Sequence, residues 1–311
     1  MSILVAANFD AAEWQAWWPQ LQAALPGEEL LRAGDVRDAE TVDVALVANP
    51  PAGALQALPS LRLVQSLWAG VDKLLADPTV PTHVPLARMV DPAMNETMAE
   101  TVLWAALSLQ RGFFDYAVQQ RAAQWRPHPL VRADERCVAV LGLGQMGACA
   151  ARALARQGYR VIGWSTRGAH LDGIETHAGD AALPQVLAAA DSVVNLLPLT
   201  PATRGLFNAT TFAQMRRGAS LVNLARGAHV VDADLLKALD EGHLAHAVLD
   251  VFHAEPLPSA HAFWAHPKVT VLPHVAAPTD PRSAARVVAA NVRALRDGRP
   301  LAHLVDRQRS Y

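Results

Sequence analysis

Cysteine and lysine are both scarce in this 311-residue chain. The two cysteines, Cys137 and Cys149, are too few for a disulfide scaffold and lack metal-ligand spacing, so both read as small core residues of a reducing compartment. Lysine supplies only three of 27 basic residues, Lys73, Lys237 and Lys268. That bias fits genomic base composition better than phosphate recognition. A net charge of -2 gives no general attraction to nucleic acid or to acidic membranes. No apolar run approaches the roughly 18 residues of a membrane span. The opening segment, with no arginine before Arg32, reads as a first strand and not a signal peptide, so the cytoplasm is expected. Metal-ligand spacing, a Gly-x-Ser-x-Gly elbow and internal repeats are all missing, and no metal is expected. With 51% hydrophobic and 18% charged residues, the chain is globular and long enough for about two domains.

What the chain does carry is a run from Cys137 to Gly147, in which an apolar strand passes into Gly142, Gly144 and Gly147 and then into the helix-forming Ala148 to Leu154. Strand, G-x-G-x-x-G and helix in that order form a dinucleotide fingerprint. The first glycine makes the tight turn, the second admits the pyrophosphate, and the third lets helix pack on strand. Free N–H groups at the helix start, from Gln145 and Met146 onward, face the phosphates.

Before the fingerprint, Ile3–Ala7, Val42–Ala48, Leu61–Leu67 and Leu86–Val90 read as strands. Asp10 and Glu13 predict a capping box for a helix whose Trp14, Trp17, Trp18 and Leu21 form a core-facing stripe. One long helical stretch, Pro92 to Trp125, is interrupted at Gly112 and suits a domain junction that also serves a dimer interface. After the fingerprint, strand character recurs at Arg160–Trp164, Ser192–Leu197, Ser220–Leu224, Ala247–Val251 and Val269–Leu272, giving six strands. The closing helix, Ser283–Arg296, can return the chain to the first unit. The expected fold is α/β with two doubly wound parallel-sheet domains: a discontinuous, flavodoxin-like substrate domain (1–94 plus 278–311) and a Rossmann cofactor domain (95–277).

The acid that grips an adenine ribose belongs about 20 residues beyond the glycines, at the end of the second Rossmann strand. Ser165, Thr166 and Arg167 stand there instead. Hydroxyl and guanidinium donors suit a 2'-phosphate, so NADP(H) is preferred, with NAD(H) possible if Asp172 or Glu175 reaches the ribose.

Three further segments follow strand ends: Asn223-Leu224-Ala225-Arg226-Gly227, Asp250 to Pro258 with Glu255, and Leu272 to Ala277 with His274. Together with the glycines they resemble the D-isomer-specific 2-hydroxyacid dehydrogenases. Within that family the whole chain, including its ending Val305 to Tyr311, is most similar to the bacterial group A of glyoxylate/hydroxypyruvate reductases. The resemblance implies two domains with the active site in their cleft, and a homodimer. It implies reduction of small 2-oxo acids to D-2-hydroxy acids. Chemically, His274 suits the proton donor, Glu255 the group that holds its ring, and Arg226 the clamp for the substrate carboxylate. The resemblance adds backbone N–H groups of Ala69, Gly70 and Val71 as carboxylate ligands. It also places Leu197, Pro198, Leu199, Thr200, Thr203 and Ala225 along the cofactor, and Asp250 against the nicotinamide amide. Trp68, Trp125 and Trp264 are candidates to cap a small pocket. A broader 2-ketoacid reductase and a cofactor-binding regulator resembling corepressors of the same fold are the competing expectations. A formate dehydrogenase type, which carries glutamine in place of the relay acid, is disfavoured by Glu255.

Overall fold

The computed structural model describes residues 1–309; Ser310 and Tyr311, the last two of the ending used in the family comparison, lie outside the described residues. The chain divides into two compact units, Met1–Ala93 joined by the chain from Thr279 onward, and Met94–Pro278.

In the first unit the strands β1 (Ser2–Ala7), β2 (Glu29–Arg32), β3 (Val42–Ala48), β4 (Leu63–Ser66) and β5 (Leu86–Ala87) form one parallel sheet in the order β2-β1-β3-β4-β5. That is the flavodoxin-like order, and β1 and β3 are buried along nearly their whole length because both faces are covered. The helix Ala11–Ala24 starts from the capping box, with reciprocal Asp10 and Glu13 bonds of 2.8 Å. Its Trp17 and Leu21 are buried, while Trp14 and Trp18 are only partly so and sit beneath the Arg32 guanidinium. The closing helix Pro281–Arg296 lies beside this helix. It is pinned by Asn291 Nδ2 donating to Gln65 Oε1 (2.7 Å) and by Arg296 bridging Glu28 and the fully buried Asp43.

In the second unit β6 (Cys137–Leu141), β7 (Arg160–Ser165), β8 (Glu175–Ala178), β9 (Ser192–Asn195), β10 (Ala219–Asn223), β11 (Leu244–Leu249) and β12 (Val269–Val271) form a seven-stranded parallel sheet, ordered β12-β11-β10-β9-β6-β7-β8. Alternation splits its core: Ala139, Leu141, Val193 and Leu221 pack on one face, Val138, Val140, Val194 and Val222 on the other. The order switches between β6 and β9, where the glycine turn emerges. The sheet has one strand more than the sequence predicts, because β8 is a four-residue edge strand with exposed residues at both ends. The long helical stretch is two helices, Pro92–Arg111 and Phe113–Arg121, broken where Gly112 adopts a left-handed φ of 68°.

Candidate active site

The glycine turn has two glycines demanded by the protein's own packing and one that is not. Gly142 has φ 98°, and a Cβ there would lie 2.7 Å from the Leu196 carbonyl oxygen. A Cβ on Gly147 would come within 1.7 Å of Gly142 O, so helix and turn touch directly. At Gly144 a Cβ would meet nothing within 4 Å, and the residue is exposed. The sequence keeps open a space its own atoms do not fill. The helix Gln145–Gln157 makes its first bond from Ala148 N–H to Gly144 O (2.8 Å), which leaves the amides of Gln145, Met146 and Gly147 with no helical acceptor. This is a cradle that fits a pyrophosphate.

β7 ends at Ser165, whose Oγ is buried and, among the described residues, has no hydrogen-bond partner. An orphaned hydroxyl costs free energy unless a ligand meets it. Thr166 and Arg167 follow. Glu175 pairs in the sheet with Ile162, three residues before the strand end, and is engaged by His177 (2.8 Å). Asp172 is exposed and lies 3.0 Å from His170. The strand end itself therefore presents hydroxyls and a guanidinium, and no carboxylate.

The loop after β9 is braced from within. Leu197 N–H donates to Asn195 Oδ1 (3.2 Å), and the Thr203 hydroxyl donates to Pro198 O (2.7 Å). Leu197 and Thr203 are buried, so the Thr203 hydroxyl shapes this loop. After β10, Ala225 N–H donates to Asn223 Oδ1 (3.3 Å), and Arg226 Nη1 donates to Ala225 O (2.7 Å). Gly227 comes next; a Cβ there would be 2.0 Å from the carbonyl carbon of Phe252. The loop bearing Arg226 thus rests on the backbone of the loop bearing Glu255.

Phe252 N–H donates to Glu255 Oε1 (2.9 Å), and Glu255 Oε2 lies 2.8 Å from His274 Nδ1. Arg226, Glu255 and His274 are joined by these contacts although 48 residues separate the first from the last. His274 itself has a left-handed φ of 56°, a conformation that costs a β-carbon residue roughly 1–2 kcal/mol. Asp250 offsets this cost. Its carboxylate accepts from Val275 N–H (2.7 Å) and Ala276 N–H (2.9 Å), two charge-assisted bonds worth about 1.5–3 kcal/mol each. Burial pushes the Asp250 carboxyl above the ordinary carboxylate value, and the two amides and the nearby His274 pull against that. The Thr101 hydroxyl donates to Ala276 O (2.8 Å) and secures the segment from its other side.

In the first unit, Ala69, Gly70 and Val71 follow β4 and lead into the helix Asp72–Ala76. Trp68 precedes them and packs on Phe9 and Trp17 at centroid distances of 6.0 and 5.8 Å. Of the other tryptophans considered for a pocket, Trp125 is 97% exposed, whereas Trp264 is half exposed and donates to Pro258 O.

Residues 103–276 match the D-isomer specific 2-hydroxyacid dehydrogenase family in its NAD binding domain. The chain belongs to this family. Glyoxylate/hydroxypyruvate reductase A of Yersinia enterocolitica is 39% identical over 306 residues, which cover 96% of this chain and 97% of that protein. Among solved structures, a D-isomer specific 2-hydroxyacid dehydrogenase from Xanthobacter autotrophicus Py2, in complex with NADPH and MES, matches 100% of this chain and 99% of its own at 42% identity and a TM-score of 0.95. An NADPH-dependent glyoxylate/hydroxypyruvate reductase from Sinorhizobium meliloti, in complex with NADP and sulfate, matches 100% of both chains at 36% identity and a TM-score of 0.94.

One feature of this 2-hydroxyacid dehydrogenase is not foreseen from its sequence. His229, to which the sequence assigns no role, is fully buried between strand ends. Its ring lies 3.0 Å from Asn195 Nδ2, 3.2 Å from Arg226 O and 3.3 Å from Pro198 O. Asn195 Nδ2 also donates to Asn223 Oδ1 (2.9 Å), and Asn223 Nδ2 to Arg226 O (3.0 Å). This buried network ties the Pro198 loop to the Arg226 loop. The available signal is the pair of asparagines that close two neighbouring strands.

Proposed function

We propose that this dehydrogenase reduces small 2-oxo acids, glyoxylate and hydroxypyruvate among them, to D-2-hydroxy acids with NADPH. The observation that carries the reading is the Glu255–His274 pair, linked through Phe252 and Gly227 to Arg226. The relatives in complex with NADPH or NADP, and the names of the reductases among them, support the choice of cofactor and substrate class.

Reduced nicotinamide, when bound, supplies the hydride. Gly142, Gly144, Gln145, Met146 and Gly147 would cradle its pyrophosphate, and Ser165, Thr166 and Arg167 its 2'-phosphate. Leu197, Pro198, Thr203 and Ala225 form or shape the remaining wall, and Asp250 is assigned to the carboxamide. Arg226 binds the substrate carboxylate and polarises the ketone with an always-charged fork. Amides of Ala69, Gly70 and Val71 are included as further carboxylate donors. Glu255 can only accept while ionised, so His274 carries a proton on Nδ1, which leaves Nε2 to protonate the carbonyl oxygen.

A homodimer in the cytoplasm is part of the same proposal. The exposed Trp104, Phe113 and Val118 on the two helices after Pro92 support the first, and two unpaired cysteines the second. A panel of 2-oxo acids assayed with NADPH and with NADH tests the function. Turnover of glyoxylate and hydroxypyruvate with NADPH is expected. Tight NADPH binding with no turnover of any 2-oxo acid would favour a regulator.

A further inference from the structure

Arg88 is a cation for which the reaction so far has no use. It follows β5 directly, at the carboxyl end of a parallel strand, the end at which open α/β sheets bind ligands. The residue is half-buried, and burial pushes its guanidinium below the ordinary arginine value. Among the described residues its side chain has neither a hydrogen-bond acceptor nor a carboxylate partner. Two buried acids of the same unit are committed elsewhere. Asp91 accepts from Ala93 N–H (3.1 Å) and from the Ser283 hydroxyl, and Asp43 pairs with Arg296. The titratable group that feels Arg88 is a histidine and no counter-anion: burial first, and then the Arg88 charge, push His303 below the ordinary histidine value.

A guanidinium partly withdrawn from water without an anion costs free energy that the fold does not return. The backbone ties its strand end to the segment proposed above to bind the substrate carboxylate. Arg88 N–H donates to His303 O (3.0 Å), and the next amide, Met89 N–H, donates to Trp68 O (3.1 Å), the bond that opens the Ala69-Gly70-Val71 segment.

We propose that Arg88 is a substrate-binding residue, whose guanidinium takes a carboxylate of the 2-oxo acid beside the Ala69-Gly70-Val71 amides. The inference rests on the reductase reading given above. Backbone amides offer partial charges to a carboxylate, whereas a guanidinium offers a full charge and two parallel donors. The competing role is structural: the aliphatic stem covers apolar surface while the head reaches water.

Arg88→Met keeps the stem and removes the charge, and Arg88→Lys keeps the charge and removes the fork. Oxalate, a dicarboxylate resembling the substrate, is titrated calorimetrically into the NADP-loaded protein, and KM for glyoxylate is measured in parallel. Arg88→Met should weaken oxalate and raise KM for glyoxylate by at least tenfold, with NADPH affinity unchanged and the melting temperature unchanged or higher. Arg88→Lys should fall between. Unchanged oxalate affinity in Arg88→Met, or no oxalate binding by the wild type, overturns the assignment. A wild type that binds oxalate yet reduces no 2-oxo acid overturns the reductase reading alone, and the oxalate comparison still decides Arg88.

Discussion

Gly227 rests on the backbone of Phe252, so closely that a Cβ would lie 2.0 Å from the Phe252 carbonyl carbon. Two loops from neighbouring strands, one carrying Arg226 and the other Glu255, are thereby held at a fixed separation. Gly227→Ala should force them apart. We expect kcat/KM for glyoxylate to fall by about 100-fold, a loss typical of slightly misplaced groups. NADPH affinity, measured by fluorescence titration, should change far less. An equal loss in both would mean that the contact only supports the fold.

The two kinds of glycine in the fingerprint turn should separate cleanly. Gly144→Ala adds a methyl to open space, so the melting temperature should stay near the wild-type value while NADPH binding weakens at least tenfold. Gly147→Ala drives a methyl into Gly142 O and should lower the melting temperature even without cofactor. A Gly144→Ala protein with unimpaired NADPH binding would remove the pyrophosphate from this turn.

Ser165→Asp places a carboxylate where the orphaned hydroxyl now lies. It should repel a 2'-phosphate and accept a ribose hydroxyl, shifting the ratio of kcat/KM values toward NADH by tenfold or more. A wild type that already prefers NADH would contradict the assignment.

Acid should destabilise the protein through His246. Its ring is buried, stacks on Phe114 at 4.6 Å and lies 2.9 Å from Thr270 Oγ1, and burial pushes its pKa down to about 4. The unfolded chain takes up this proton near pH 6.5, before the folded one does. The stability contributed is therefore complete above about pH 6.5 and lost as pH falls toward about 4, by up to ~3 kcal/mol. Denaturant melts at pH 7 and pH 5 should show that His246→Phe loses less stability on acidification than the wild type. Parallel losses would exclude His246 as the cause.

The long apolar strands were legible because burial on both faces leaves an uninterrupted run, as in residues 44–48. The edge strands Glu29–Arg32 and Glu175–Ala178 were not legible. Four half-polar residues become a strand only through the neighbour they pair with. Arg226, Glu255 and His274 could be picked out because each follows a strand end, yet their mutual contacts depend on Gly227 and Phe252, whose part is visible only in three dimensions. Asp250 reads from sequence as a group that meets the nicotinamide amide; that its two oxygens also hold the backbone after His274 is visible only in the fold. The burial of His229 is not legible in the sequence, because its partner Asn195, and the Asn223 that Asn195 binds, come together only once their strands pair in the sheet.

Proton delivery from His274 to a keto oxygen is tested most directly by glyoxylate reduction with His274→Gln at saturating NADPH. A fall in kcat of about 100- to 10,000-fold is expected, the range for loss of a general acid, with NADPH affinity preserved. Turnover close to wild type, or a matching collapse of cofactor binding, would contradict it.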